Sequence, residues 1–99
     1  MEYKIDKNDS TVNVSVSGRI DTTTAPQLEE VIIPEIDGAK EVVIDFKELE
    51  YISSAGLRLL LMLQKKMNAV DGTFVIKNVN DFVMEVFEMT GFKSILTIE

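Results

Sequence analysis

The stretch SAGLRLLLMLQKKMNAV, Ser54–Val70, contains no proline and no acidic side chain, and it stops at Asp71-Gly72. It reads as one long helix. At about 100° per residue, Gly56, Leu59, Leu60, Leu63, Met67 and Val70 fall on one face, the expected core stripe. Ser54, Leu57, Arg58, Leu61 and Lys65 share a different face. The core stripe does not require these two leucines. Either they pack beneath a neighbouring helix or loop, or they form an apolar contact patch with a basic rim, the kind of surface that anchors protein interfaces. Met62 also lies off the core stripe, so solvent exposure is expected there.

Around this helix the chain alternates. Thr73–Lys77 is a strand, and Asp81–Met89 carries Phe82, Val83, Val86 and Phe87 at helical spacing with Gly91 as a C-cap. Met84 and Met89 are expected to fill packing gaps near the main face of that helix. A short strand, Ile95–Ile98, closes the chain. On the N-terminal side, Glu41–Phe46 is a near-continuous β-branched run, the look of a central strand covered on both sides. Thr24-Ala25-Pro26-Gln27 has the Thr-x-x-Gln form of a capping box, and Leu28, Val31 and Ile32 supply an apolar face before Pro34 interrupts it. Val12–Ser17 alternates strictly, a half-buried strand broken by Gly18. With Lys4-Ile5-Asp6 and the turn Asn8-Asp9-Ser10 it makes a hairpin. These elements predict an α/β fold: a mixed sheet with an antiparallel N-terminal hairpin and crossover helices packed on it. No linker, low-complexity segment or internal repeat divides the chain, so residues 1–99 are expected to form one domain.

Composition narrows the function. A chain of 99 residues has room for one core, and 45% hydrophobic content argues against disorder. The absence of cysteine excludes disulfides, zinc–thiolate sites and thiol catalysis, and the absence of histidine removes the commonest general base and transition-metal ligand. Seventeen acidic against ten basic residues give a net charge of −7, which repels nucleic acid. The longest apolar run, Leu59–Leu63, cannot span a bilayer, and Met1-Glu2-Tyr3-Lys4 lacks a signal-peptide layout. A cytoplasmic protein without membrane insertion is expected, and nothing requires more than a monomer. The carboxylates are scattered. Asp45 ends a central strand and reads as a strand-end or turn residue, the glycines are too dispersed for a phosphate-binding loop, and the clustered acids of a receiver domain are missing. An enzyme, a metal site and a cofactor are therefore not expected.

Ser54 stands at the start of the long helix, where backbone N–H groups lack partners and the macrodipole is positive. It is either a plain N-cap or a position where an added phosphate is tolerated. Phosphorylation there would leave the helix intact and change the charge and bulk of the surface beside Leu57.

Tyr51-Ile52-Ser53-Ser54-Ala55-Gly56-Leu57 resembles the Asp-Ser-Ser/Thr/Ala-Gly-Leu signature of the anti-sigma factor antagonists, which are STAS-domain proteins. Gly18-Arg19-Ile20-Asp21 followed by Thr24-Ala25 resembles the family's Gly-x-Leu/Ile-Asp segment, and the element order agrees along essentially the whole chain. The resemblance implies the STAS fold and a non-enzymatic binding switch. The unphosphorylated form would bind an anti-sigma factor with serine kinase activity and free a sigma factor. The partner would phosphorylate the serine, and a PP2C-type phosphatase would reset it. Aligned on Gly56-Leu57, the acceptor is Ser54. Ser53 stands where phosphorylated members usually carry Asp, which makes it the second-choice acceptor. The implied partner surface is Asp21, Thr22, Ser53, Ser54, Leu57, Arg58 and Leu61. STAS domains also resemble accessory subunits of lipid or small-ligand transport systems, the alternative reading; direct nucleotide binding has only family analogy behind it.

Overall fold

Val12, Val14 and Val16 are buried while Asn13 and Ser15 are exposed, as a period-two pattern requires of a strand with one covered face. In the computed structural model, which describes residues 1–99, these residues lie in β2 (Thr11–Ile20), the strand on which the sheet is organised. β1 (Glu2–Asn8) pairs antiparallel to it across a tight turn in which Asp9 adopts φ 56, a left-handed conformation that aspartate tolerates. The other edge of β2 is shared by two parallel strands: β3 (Glu41–Asp45) beside Thr11–Ser15, then β4 (Leu49–Ile52) beside Gly18–Ile20. β5 (Thr73–Lys77) and β6 (Thr97–Ile98) continue beyond β3, giving the order β1-β2-β3-β5-β6 with β4 on β2.

The crossovers are α1 (Thr24–Glu35), α2 (Ser54–Ala69) and α3 (Asp81–Thr90), the last followed by a 3-10 turn at Phe92–Ser94. Every parallel connection steps in the same direction across the sheet, so right-handed crossovers place the helices over one face. Burial agrees: Val42, Ile44, Phe74 and Ile76 are buried, whereas Val43 and Val75 between them are half-buried. The expected mixed sheet and hairpin are present, but β3 is central without being covered on both sides.

Several local expectations give way to tertiary context. Gly18 does not end its strand: at φ +83 it carries a register shift in the β2–β4 ladder, and β2 continues to Ile20. β4 has only four residues, too few for alternation to be legible, and interrupts the simple strand–helix order. Pro34 lies inside the last turn of α1, which reaches Glu35. α2 ends at Ala69, leaving Val70 as a C-cap 44% exposed instead of part of the core stripe. α3 buries only Val83 and Phe87, one narrow stripe four residues apart. Met84 is half-buried against the core, whereas Phe82 and Met89 face solvent, Met89 at 79% exposure, so it fills no gap. Gly91 is the left-handed C-cap expected. The last strand is shorter than its apolar run because the 3-10 turn takes up the chain before it.

Gly56 sets how closely α2 approaches the sheet. A Cβ there would lie 2.6 Å from Ile52 Cγ1 and 2.8 Å from Ile20 Cγ2, both below van der Waals contact. Gly56→Ala should therefore lower the urea midpoint, because overpacking costs about 1–3 kcal/mol against a propensity gain of up to about 1 kcal/mol. An unchanged or raised midpoint would mean that α2 is free to shift outward.

Candidate functional site

β2 and β4 end in register, Ile20 beside Ile52, and the Ser53 N–H donates to the Ile20 carbonyl at 2.8 Å. The loops opening α1 and α2 therefore leave the sheet side by side. They do so at the C-terminal ends of parallel strands, where open α/β sheets place their sites.

On the α1 side, Asp21 does the capping. Its Oδ1 accepts from the Thr23 and Thr24 N–H groups, each at 2.9 Å. The Asp21 N–H donates to Thr24 Oγ1 at 2.8 Å, and that hydroxyl donates to the Arg19 carbonyl at 2.8 Å. The Thr24–Gln27 capping box is not formed; Thr23 is the N-cap residue, and Asp21 satisfies the orphan donors instead. The N–H groups of Thr24 and then Thr23 hold the Asp21 carboxyl below its ordinary 3.8, with Arg19 a smaller contributor. Thr22 stands exposed at the tip of this loop.

On the α2 side, the two serines part company. Ser53, not Ser54, is the N-cap: its backbone is extended (φ −95, ψ 178), and its carbonyl accepts from the Leu57 N–H at 2.9 Å. Its Oγ is buried without a hydrogen-bond partner, which removes the geometric basis for Ser53 as a second acceptor. Ser54 is the first helical residue, and it is exposed.

Below Ser54 the predicted contact face is narrower than expected. Leu57 is only 5% exposed and belongs to the core, because the close approach at Gly56 widens the buried stripe beyond the expected face to take in Leu57. Arg58 is exposed and Leu61 half-buried, so both remain on the surface with Lys65. Met62 is half-buried rather than exposed. It lines a shallow groove between α1 and α2 together with Ala25, Pro26, Ala55 and Arg58.

One feature of this region was not legible in the sequence. The Arg19 guanidinium lies 4.2 Å from the centre of the Tyr51 ring, and Tyr51 stacks on Phe82 with ring centroids 6.4 Å apart. Arg19 and Tyr51 meet only because β4 pairs with β2, and no local pattern announces that pairing. Asp45 is a strand-end residue, one of the two roles expected: its Oδ1 accepts from the Lys47 N–H at 2.8 Å and from Asn78 Nδ2 at 3.0 Å. No three metal-ligating side chains converge, and no helix is long and apolar enough to cross a membrane.

A mixed sheet with helices on one face, ending in a serine exposed at the start of its longest helix, defines the class. Residues 3–97 match the family described as "Mlab, STAS domain". The chain belongs to the STAS domain family, within the group of anti-sigma factor antagonists. It is 37% identical over 99 residues to the Bordetella bronchiseptica protein named "Putative anti-sigma factor antagonist BtrV", covering 99% of this chain and 85% of that one. It is 33% identical over 91 residues to the anti-sigma-B factor antagonist of Staphylococcus aureus, covering 91% and 84%. Among solved structures it resembles the Bacillus anti-sigma factor antagonist SpoIIAA. The unphosphorylated form gives a TM-score of 0.79 at 19% identity, covering 99% of this chain and 87% of that one. The phosphorylated form gives 0.78 at 20% identity, covering 99% and 91%. At that identity the likeness speaks for the fold. The proteins of this group are regulators that act by binding, not enzymes.

A carboxylate whose folded pKa is depressed contributes stability above its unfolded pKa and loses it as pH falls through the folded value. The α1 junction should therefore loosen only below pH 3.8, and an NMR titration should find the Asp21 carboxyl protonating below that point. Asp21→Asn, which keeps an acceptor, should lower Tm at neutral pH less than Asp21→Ala does. Equal losses would mean that the Thr23 and Thr24 N–H groups find other partners.

Proposed function

We propose that this chain binds an anti-sigma factor with serine kinase activity while Ser54 is unmodified, thereby freeing a sigma factor, and that phosphorylation of Ser54 breaks the complex. The observation that carries the reading is the exposure of Ser54 at the first position of α2, beside the Asp21–Thr22 loop and in line with Arg58 and Leu61. The names of the relatives support an anti-sigma factor as the partner.

The physics of this position favours a surface switch over an unfolding one. A phosphate on Ser54 adds about −1.5 to −2 charges beside N–H groups that lack intrahelical partners and at the positive end of the helix. The helix tolerates it. A partner pressed against Ser54, Arg58 and Leu61 does not, because it meets new bulk and new charge where it needs close contact. SpoIIAA keeps this fold in both of its phosphorylation states, in keeping with that mechanism. Within this reading the partner face comprises Asp21, Thr22, Ser54, Arg58 and Leu61. Ser53 and Leu57 support it from beneath, and a PP2C-type phosphatase restores the binding form. In this reading residues 1–99 act as one domain, as a monomer, in the cytoplasm.

Intact-mass analysis after incubation with ATP and the cognate anti-sigma factor tests the acceptor. One phosphate is expected on the wild type and on Ser53→Ala, and none on Ser54→Ala. Ser54→Asp should weaken the complex by roughly tenfold or more, about 1.4 kcal/mol. A phosphate that persists on Ser54→Ala would move the switch elsewhere and sink this assignment.

A further inference from the structure

We infer that the exposed stripe of α2 receives an acidic, amphipathic segment of the protein partner, with its carboxylates on Arg58, Lys65 and Lys66 and its apolar side chains on Leu61 and Met62. This rests on the reading of α2 as the partner face and specifies the chemistry of what docks there.

The charge distribution carries the argument. The chain holds seventeen acidic residues against ten basic ones, yet none of the 16 residues of α2 is acidic. The basic side chains are otherwise engaged within the protein. Lys4, Lys7, Lys77 and Lys93 pair with carboxylates, Lys40 donates to the Val70 carbonyl, and Arg19 lies on Tyr51. Of the four that remain, only Lys47 lies outside α2; the other three are Arg58, Lys65 and Lys66.

The helix dipole explains part of this arrangement, since cations near a C-terminus are favourable, and Lys66 lies in the last turn. It does not explain Arg58, which stands near the positive end. Three cations without an ion pair, Arg58 sharing its groove with Glu29, lie along one exposed stripe of an acidic protein and form a local positive field. Such a field steers an acidic partner and discourages wrong ones. Between the cations lie Leu61 and Met62, both half-buried, and Ala69 continues the patch towards the helix end. Lysine and arginine stems extend such an apolar floor while their heads reach outward.

A protein segment fits this surface better than two other polyanions. Nucleic acid would be repelled outside the stripe, since the chain as a whole carries a net charge of −7 even with these three cations counted. A membrane would need apolar side chains free to insert, and Leu61 and Met62 are already half-buried.

The test is association kinetics between the unphosphorylated protein and its anti-sigma factor, at low and high salt, for wild type and the double variant Lys65→Glu/Lys66→Glu. The variant should associate at least tenfold more slowly at low salt, and the difference should collapse at high salt, where screening removes it. Hydrogen exchange on the partner should show protection of a segment with net negative charge. Lys65→Gln/Lys66→Gln, which is less perturbing should the reversal unfold α2, should slow association by a smaller factor. Unchanged association in both variants, or protection of a neutral or basic segment, overturns the inference and leaves the proposed function standing. Failure of the wild type to bind the anti-sigma factor overturns both. Binding to phosphatidylglycerol vesicles that both variants lose, with partner association unaffected, assigns the stripe to a membrane and overturns it too.

Discussion

The backbone hydrogen bond from the Ser53 N–H to the Ile20 carbonyl, 2.8 Å long, joins the ends of two strands that belong to different crossover units. It closes a very short ladder, since β4 touches β2 only over Gly18–Ile20. That ladder exists because β3 stops at Asp45, leaving the upper part of β2 unpaired on that side, and because Gly18 bends β2 to meet the new partner. The Asp21 loop and the start of α2 are neighbours through this junction. Without it the two segments that resemble the family's motifs would be unrelated pieces of sequence.

Gly56 completes the constraint. With no Cβ, it lets the first turn of α2 settle against Ile20 and Ile52, the same two residues the ladder aligns. That approach decides the accessibility of everything around it. Leu57 is drawn into the core, Ser53 is folded under with its hydroxyl sealed, and Ser54 is turned outward. Two adjacent serines thus acquire opposite characters through a change of backbone conformation between them, from extended at Ser53 to helical at Ser54.

Charge is sorted by the same geometry. Asp21 spends its carboxylate on backbone donors at the start of α1, so its negative charge stays fixed there down to acid pH. The cations of α2 have no such internal employment and face outward. An interface here presents one sign at its loop end and the opposite sign along its helix. Such a pattern can set both the orientation and the identity of a partner.

The long helix, the hairpin, the central strand and the strand Thr73–Lys77 were legible in the sequence because each rests on a local signal, either periodicity, an unbroken β-branched run or a turn between alternating segments. So was Ser54 as the singular position at a helix start. Burial at the margins was not legible. Leu57 and Leu61 occupy the same predicted face, yet one is core and the other surface, because the width of a buried stripe depends on how near the sheet lies. β4 was missed because four residues show no period, and with it the contact between Arg19 and Tyr51, which depends on a pairing between strands about thirty residues apart in sequence. By itself the sequence determined the elements, their order and the chemical character of the chain, since these follow from local period, composition and charge. Only the tertiary structure decided which serine is open, which leucine is buried and which cations stand alone, because accessibility and pairing are set by neighbours distant along the chain.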